Sequence, residues 1–353
     1  MGRLCRSLQC ATVPLAAALL LGATTRDPGA AAPPASGTSP LDEHAGEVLA
    51  LQVALDRARF SPGEIDGRAG ALTASALAAF RSARGLPSAV SPLDEATKAA
   101  LGDAFAQPLT RYTITEQDAA GPFVPDIPSD LMAQAELETL GYTSLLELLG
   151  ERFHSSPSLL ARLNPGVTFE AGTSIAVPAV EPMELASREG RRAHNGRTPA
   201  PAPAAEIELT EAIGAVIARD DRGTVLLHVP ATVGSVQDPL PVGDWKIVGV
   251  HDTPVFNYNP DLFWDADPSH AKARIAAGPN NPVGLVWIDI DKEHFGFHGT
   301  PEPSQIGRTT SHGCVRLTNW DATMLSALVS AGTPVRFRDL VDGAEIAAAP
   351  DPR

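Results

Sequence analysis

Cysteine is scarce in this chain. Among 353 residues there are three: Cys5, Cys10 and Cys314. The first two fall within residues 1–23, where Arg3 and Arg6 precede a short apolar run at 11–22 and small residues follow. That is the pattern of an export signal, too short in its apolar part to span a bilayer comfortably. Cleavage near Ala23 or near 30–32 leaves Cys314 as the one thiol, and no cysteine follows the apolar run to carry a lipid. One cysteine excludes an internal disulfide, and a lone free thiol in an oxidising compartment is a liability unless it has a task. Long apolar runs are also lacking. No stretch reaches the roughly eighteen residues of an ordinary membrane span. Positive charge is short: Lys+Arg total 27 against 42 Asp+Glu, a net charge of −15. This argues against nucleic acid or an anionic lipid surface as partner. The apolar fraction of 44% is ordinary for a globular protein, and the length suits two to three domains.

What is present concentrates in residues 297–319, F-H-G-T-P-E-P-S-Q-I-G-R-T-T-S-H-G-C-V-R-L-T-N. Cys314 stands two residues after His312 and sixteen after His298. Gly299 and Gly313 adjoin the two histidines, where backbone must come close to a ligand or turn sharply. Arg316 follows the thiol by two, so on an extended segment both side chains face one side. Acyl transfer through a thiol needs an imidazole to favour the thiolate, a group to orient that imidazole, and N–H donors for the oxyanion. The stretch offers Cys314 as nucleophile, His298 or His312 as base, and the amides around Gly313 and Cys314 as donors. A cationic Arg316 suits a substrate carboxylate. His294, His298, His312 and Cys314 could also be drawn as four zinc ligands. Against that, D-K-E-H-F-G-F-H reads as strand and no H-E-x-x-H is present, so neither a metal nor another cofactor is expected.

The string H-G-T…S-H-G-C-V-R resembles the signature of the bacterial cell-wall L,D-transpeptidases, the YkuD-like catalytic domain. The resemblance implies that Cys314 is the nucleophile, His298 the general acid/base, the Gly299 carbonyl the third member of the triad, and His312 a supporting residue. Ser311 and Arg316 are then the substrate-binding candidates. It further implies attack on the third residue of a peptidoglycan stem tetrapeptide with loss of D-alanine, transfer to an amine of a second stem peptide or a wall-anchored protein, and mimicry of the acyl donor by carbapenems. The stretch T-V-G-S…D-P-L-P-V-G-D-W-K-I is similar to the one preceding the family's core strand, with Leu-Pro-Val-Gly where T-P-x-G is commoner. Two rivals stay open: a hydrolytic member of the same fold (an L,D-carboxypeptidase or a protein-detaching amidase), and a non-enzymatic wall-binding protein.

Taken in order, the chain reads as an α+β protein. Residues 1–32 are the signal and the start of an Ala/Pro/Ser/Gly-rich lead-in that runs to 40. Residues 42–105 carry three helical patterns: Val48, Leu51 and Leu55; Leu72, Ala76 and Phe80; and a third helix with Ser91 as N-cap and Asp94 at the third position, ending near Leu101. This plan resembles a peptidoglycan-binding module. Residues 111–181 give helix, turn, helix and a short strand ending at Pro178, similar to a degenerate LysM glycan-binding module, with residues 111–128 either a spacer or the first strand. Alternating Pro and Ala mark 182–205 as a semi-rigid linker. Residues 206–339 form the mostly-β catalytic domain. Strands are expected at 214–219 and 224–230 around the D-D-R-G turn, at 245–250, 283–290 and 295–298, and finally at 334–337. The connection 251–282 reads as a substrate-side flap. Thr318 or Asn319 caps a helix that turns Met324, Leu325 and Leu328 inward, and 340–353 is a tail. The expected partners are peptidoglycan stem peptides and glycan strands, in the periplasm or cell wall.

Overall fold

The structure is a computed structural model and describes residues 41–88, 93–184, 203–210 and 214–338. The signal and lead-in, most of the 182–205 linker and the 340–353 tail lie outside the described residues. Three helices open the fold: α1 (Glu43–Arg57), α2 (Ala71–Ala83) and α3 (Glu95–Leu101), with a single turn α4 (Asp103–Ala106). Asp42 starts α1 by accepting from the Ala45 amide at 2.8 Å. The cap of α3 is Asp94, not Ser91: its backbone is extended and its carboxylate accepts from the Thr97 amide. That carboxylate also pairs with Arg81 at 2.6 Å, which fixes it at the boundary.

Next come β1 (Leu109–Thr113), the short turns α5 (Glu116–Ala119) and α6 (Leu131–Gln134), then α7 (Leu145–Arg152), α8 (Pro157–Leu163) and β2 (Ser174–Pro178). β1 and β2 pair antiparallel, Tyr112 opposite Ile175; β1 begins two residues before the 111–128 segment and overlaps only its first three residues. Ser144 and Ser156 cap the two helices, with Pro157 in the first turn of α8. Asn164 ties the end of α8 to β2, donating to the Ala176 carbonyl and accepting from its amide.

The largest unit is a sheet of β3 (Glu206–Thr210), β4 (Ala215–Arg219), β5 (Val225–Pro230), β6 (Gly243–Asp252), β9 (Val286–Ile290), β10 (Gly296–His298), β11 (Val315–Arg316) and β12 (Pro334–Arg338), ordered β11-β10-β9-β6-β12-β3-β4-β5. Two pairs are parallel, β10 with β11 and β12 with β3. The connection from β6 to β9 carries the hairpin β7 (Phe256–Tyr258) and β8 (Ala273–Ile275). Helix α9 (Asn319–Leu328), capped by Thr318, buries Trp320, Leu325 and Leu328 against Ile288, Phe297, Val335 and Phe337 of the sheet. A helical N-terminal module followed by a mostly-β curled sheet makes the protein α+β. Among the described residues no helix is long and apolar enough to cross a membrane.

The segments share their interiors. Leu49 and Val53 of α1 pack in the core around α7, α8 and β2, while Leu51, Ala54 and Leu55 one face away pack with α2. Phe60 meets Phe80 edge-on and stacks on His228 of β5. At the junction of all three lies a charged cluster. Asp56 contacts His154 at 2.9 Å, His154 stacks on Trp320, and the Ser61 hydroxyl donates to Asp321. Burial raises the Asp321 carboxyl to about 7, with the neighbouring Asp56 charge acting the same way. An acid whose folded pKa lies above its unfolded value of about 4 stabilises below that value and loses the contribution as pH rises through about 7. Asp321→Asn is therefore expected to raise the melting temperature at pH 8 and to raise it progressively less as the pH falls towards 4. A lower melting temperature than wild type at pH 8 would contradict this account.

Candidate active site

The site is assembled by one sheet edge and one loop. β10 ends on His298 and runs parallel to β11, which begins immediately after Cys314; His298 lies opposite Arg316, and Phe297 opposite Val315. A sequence separation of sixteen is thus folded into neighbouring strands. The Ser311–Cys314 turn is fixed at both ends. The Ser311 amide donates to the Gly234 carbonyl, and its hydroxyl donates to the Cys314 carbonyl at 2.6 Å. Gly313 sits at φ +96°, and a Cβ there would lie 2.5 Å from the Phe295 ring. Both facts require glycine.

His298 is buried, and its Nδ1 lies 2.7 Å from the Gly299 carbonyl. A carbonyl only accepts, so Nδ1 carries the hydrogen and Nε2 is left as the basic nitrogen. The ring also stacks on Trp287, its register partner on β9, at 5.5 Å and 16°. The Trp287 indole N–H is held by Asp289, which His251 contacts from the other side. Burial, aided by the Arg316 charge and opposed by the Gly299 hydrogen bond, lowers His298 to about 4.

Cys314 is partly exposed, yet its surroundings desolvate the thiol. They push it up to about 11, against the pull of a Gly296 backbone hydrogen bond and the Arg316 charge. The sulfur donates to the His294 carbonyl at 3.4 Å. Against the expectation of a thiolate favoured at rest, these two shifts point to thiol and imidazole both being uncharged near neutral pH. The reason is that the low dielectric penalises thiolate and imidazolium alike.

His312 faces elsewhere. Its Nε2 contacts Asp265 at 2.8 Å, and its ring meets Phe263 edge-on at 5.0 Å. Both partners belong to the β6–β9 connection, so the expected flap is an ordered wall. It is pinned to the α6 region by His270 on Asp130 and by backbone bonds of Leu140 to Ala277 and Asn280. Flap, β9, β10 and the cysteine loop enclose a groove of about 1240 Å³. His298, Ser311, His312, Cys314 and Arg316 all line it. The Arg316 guanidinium reaches the Thr310 carbonyl at 3.4 Å. The amides of Gly313 and Cys314 donate to no acceptor among the described residues. Nor do the described residues hold a group of three or more His, Cys, Asp or Glu arranged for a metal ion. The residues missed by sequence reasoning are Trp287 and Asp265. Trp287 could have been found by counting back through the β9–β10 turn from His298; nothing local announces Asp265, because it arrives from a loop 47 residues away.

Residues 207–337 match the YkuD family, described as the L,D-transpeptidase catalytic domain, and residues 44–101 match PG_binding_1, a peptidoglycan binding domain. The chain is 28% identical over 193 residues to the Bacillus licheniformis protein YkuD, provisionally assigned as an L,D-transpeptidase, covering 54% of this chain and 91% of that protein. It is 28% identical over 228 residues to the "Probable L,D-transpeptidase YbiS" of Escherichia coli K12, covering 61% and 68%. A solved L,D-transpeptidase from Mycobacterium smegmatis aligns at 20% identity and a TM-score of 0.31, over 37% of this chain and 57% of that one.

Proposed function

We propose that this chain, whose residues 207–337 match the L,D-transpeptidase catalytic domain and whose residues 44–101 match a peptidoglycan binding domain, is a cysteine-dependent acyltransferase acting on peptidoglycan stem peptides outside the cytoplasm. The observation that carries this reading is the His298 ring, held through Nδ1 by the Gly299 carbonyl beside the strand that starts immediately after Cys314. In the donor step the Cys314 sulfur attacks the carbonyl carbon of the third stem residue, and its proton passes to His298 Nε2. The amides of Gly313 and Cys314 take the developing oxyanion. The C–N bond then breaks, the amine of D-alanine takes the proton from His298, and a thioester remains. In the acceptor step a side-chain amine of a second stem peptide, or of a wall-anchored protein, attacks the thioester. Its proton goes to His298, the C–S bond breaks, and the thiol is restored. Because thiol and imidazole are both neutral at rest, proton transfer accompanies attack instead of preceding it. Arg316, two residues along the same strand, offers its charge to a stem carboxylate. The helical module and the β1–β2 segment serve as wall-binding elements, with glycan strands as their ligand.

Purified tetrapeptide muropeptides test this reading. Wild-type protein should release D-alanine and give cross-linked dimers, read by mass. Tripeptide without dimer would point to the hydrolytic rival, and unchanged muropeptides together with an unreactive thiol would leave the non-enzymatic one.

A further inference from the structure

The carbonyl that orients His298 is itself supported from outside the sheet. Asn319, the first residue of α9, is buried, and its side chain lies directly on Gly299: a Cβ at Gly299 would come 2.1 Å from Asn319 Oδ1. The same oxygen is equally close to the Cβ direction of Gly284 and accepts from the Leu285 amide at 2.9 Å. The Asn319 carboxamide is therefore wedged between two backbone segments, one of which carries the His298 acceptor. Its Nδ2 donates to the Glu151 carboxylate and to the Pro279 carbonyl at 3.2 Å. Glu151 is not part of the sheet unit. It sits in the last turn of α7, between β1 and β2, 168 residues away from Asn319 in sequence. It is also a hydrogen-bond partner of the Tyr142 hydroxyl. The neighbouring Glu147 accepts from Asn280 at 2.8 Å, tying the same helix to the strand-entry loop.

We infer that Glu151 and Asn319 are positioning residues: through them the β1–β2 segment sets the Gly299 carbonyl, and with it the orientation and tautomer of the His298 imidazole. The physical argument is one of rigidity. A carboxamide free to rotate would let the 299 peptide tilt, and a base misplaced by a fraction of an ångström loses rate without losing substrate. Glu151 locks the carboxamide by accepting from Nδ2, which also fixes Oδ1 toward Leu285 and Gly299. The catalytic strand is thus braced by an element that the sequence assigns to wall binding.

The inference rests on reading His298 as the base, so its test has two readouts. Acylation of Cys314 by a carbapenem is followed in full-length protein, with the maximal rate and the half-saturating concentration separated. In parallel, proton NMR follows the His298 Nδ1–H resonance, which a strong hydrogen bond to Gly299 shields from exchange. Glu151→Ala should lower the maximal rate about tenfold, the lower end of what removing an orienting partner costs, with half-saturation within about twofold. Glu151→Asp, which keeps the charge but shortens the reach, should do the same, whereas Glu151→Gln keeps the acceptor and should stay within about twofold of wild type. The Nδ1–H signal should broaden in the Ala and Asp variants and persist in Gln. Glu151 lines a cavity of about 240 Å³, and a thermal melt of each variant checks that it is folded before its rate is compared. If Ala and Asp acylate at the wild-type rate with an unchanged resonance, the inference is wrong. If Asp and Gln fall together, the acceptor geometry is not what matters, and it is equally wrong. If wild type itself is not acylated, the proposed function fails while the resonance still reports on the positioning.

Discussion

Replacing Cys314 by alanine or serine should abolish turnover of muropeptides, by about a thousandfold or more, and should remove the covalent carbapenem adduct from the intact protein. The wild-type protein should gain one carbapenem mass. Serine fails because its hydroxyl is a far weaker acid than even this desolvated thiol, which burial has already raised to about 11. The same value predicts a second signature. Alkylation of the free enzyme by iodoacetamide should be slow at pH 7 and rise steadily into the alkaline range, since only the thiolate reacts. The sign follows from the two neighbours: His298 is lowered to about 4 and cannot hold a proton as imidazolium at neutrality. A rate already at its plateau by pH 7 would mean a preformed ion pair and would overturn the neutral resting state. An adduct that persists in Cys314→Ala, or activity that a chelator removes and zinc restores, would overturn the thiol mechanism itself.

The core of the site was legible because it is local. Ser311, His312, Gly313, Cys314 and Arg316 lie within six consecutive positions, and the turn that carries them follows from residue types alone. His298 was legible because a strand pattern ends on it. The strands of the sheet were readable from their β-branched runs, and α9 from its cap and its inward Leu325 and Leu328. What could not be read was everything that depends on long-range packing. The resting protonation of the pair is set by how thoroughly the groove walls exclude water, and chemistry at the sequence level favoured the thiolate instead. Asp265 reaches His312 from a loop whose composition suggested only a flap. The first turn of α3 was misplaced because Asp94 has a second attraction, to Arg81, that no local rule contains. The sharing of Leu49 and Val53 with the β1–β2 segment was hidden too. α1 is apolar over more than one face, and the sequence shows that a helix is buried without showing by what.

The remaining question is which histidine acts, and the two candidates should separate by size of effect and by pH. His298→Ala should lower the acylation rate by about a hundredfold or more, the usual contribution of a general base. His312→Ala should cost about tenfold or less, because its Nε2 already engages Asp265 and its ring braces Phe263 on the flap. Its loss loosens a groove wall without removing the proton acceptor. The pH profile of the acylation rate under subsaturating carbapenem reports the free enzyme. A base whose pKa burial has lowered to about 4 is deprotonated throughout the neutral range, so the acidic limb should fall near pH 4. Activity should therefore persist through pH 5 to 6, where an ordinary solvated imidazole, with a pKa of about 6.5, would already be protonated. A larger loss in His312→Ala than in His298→Ala would transfer the base role to the His312–Asp265 pair. The Gly299 carbonyl would then be an orienting group for a residue that only shapes the groove.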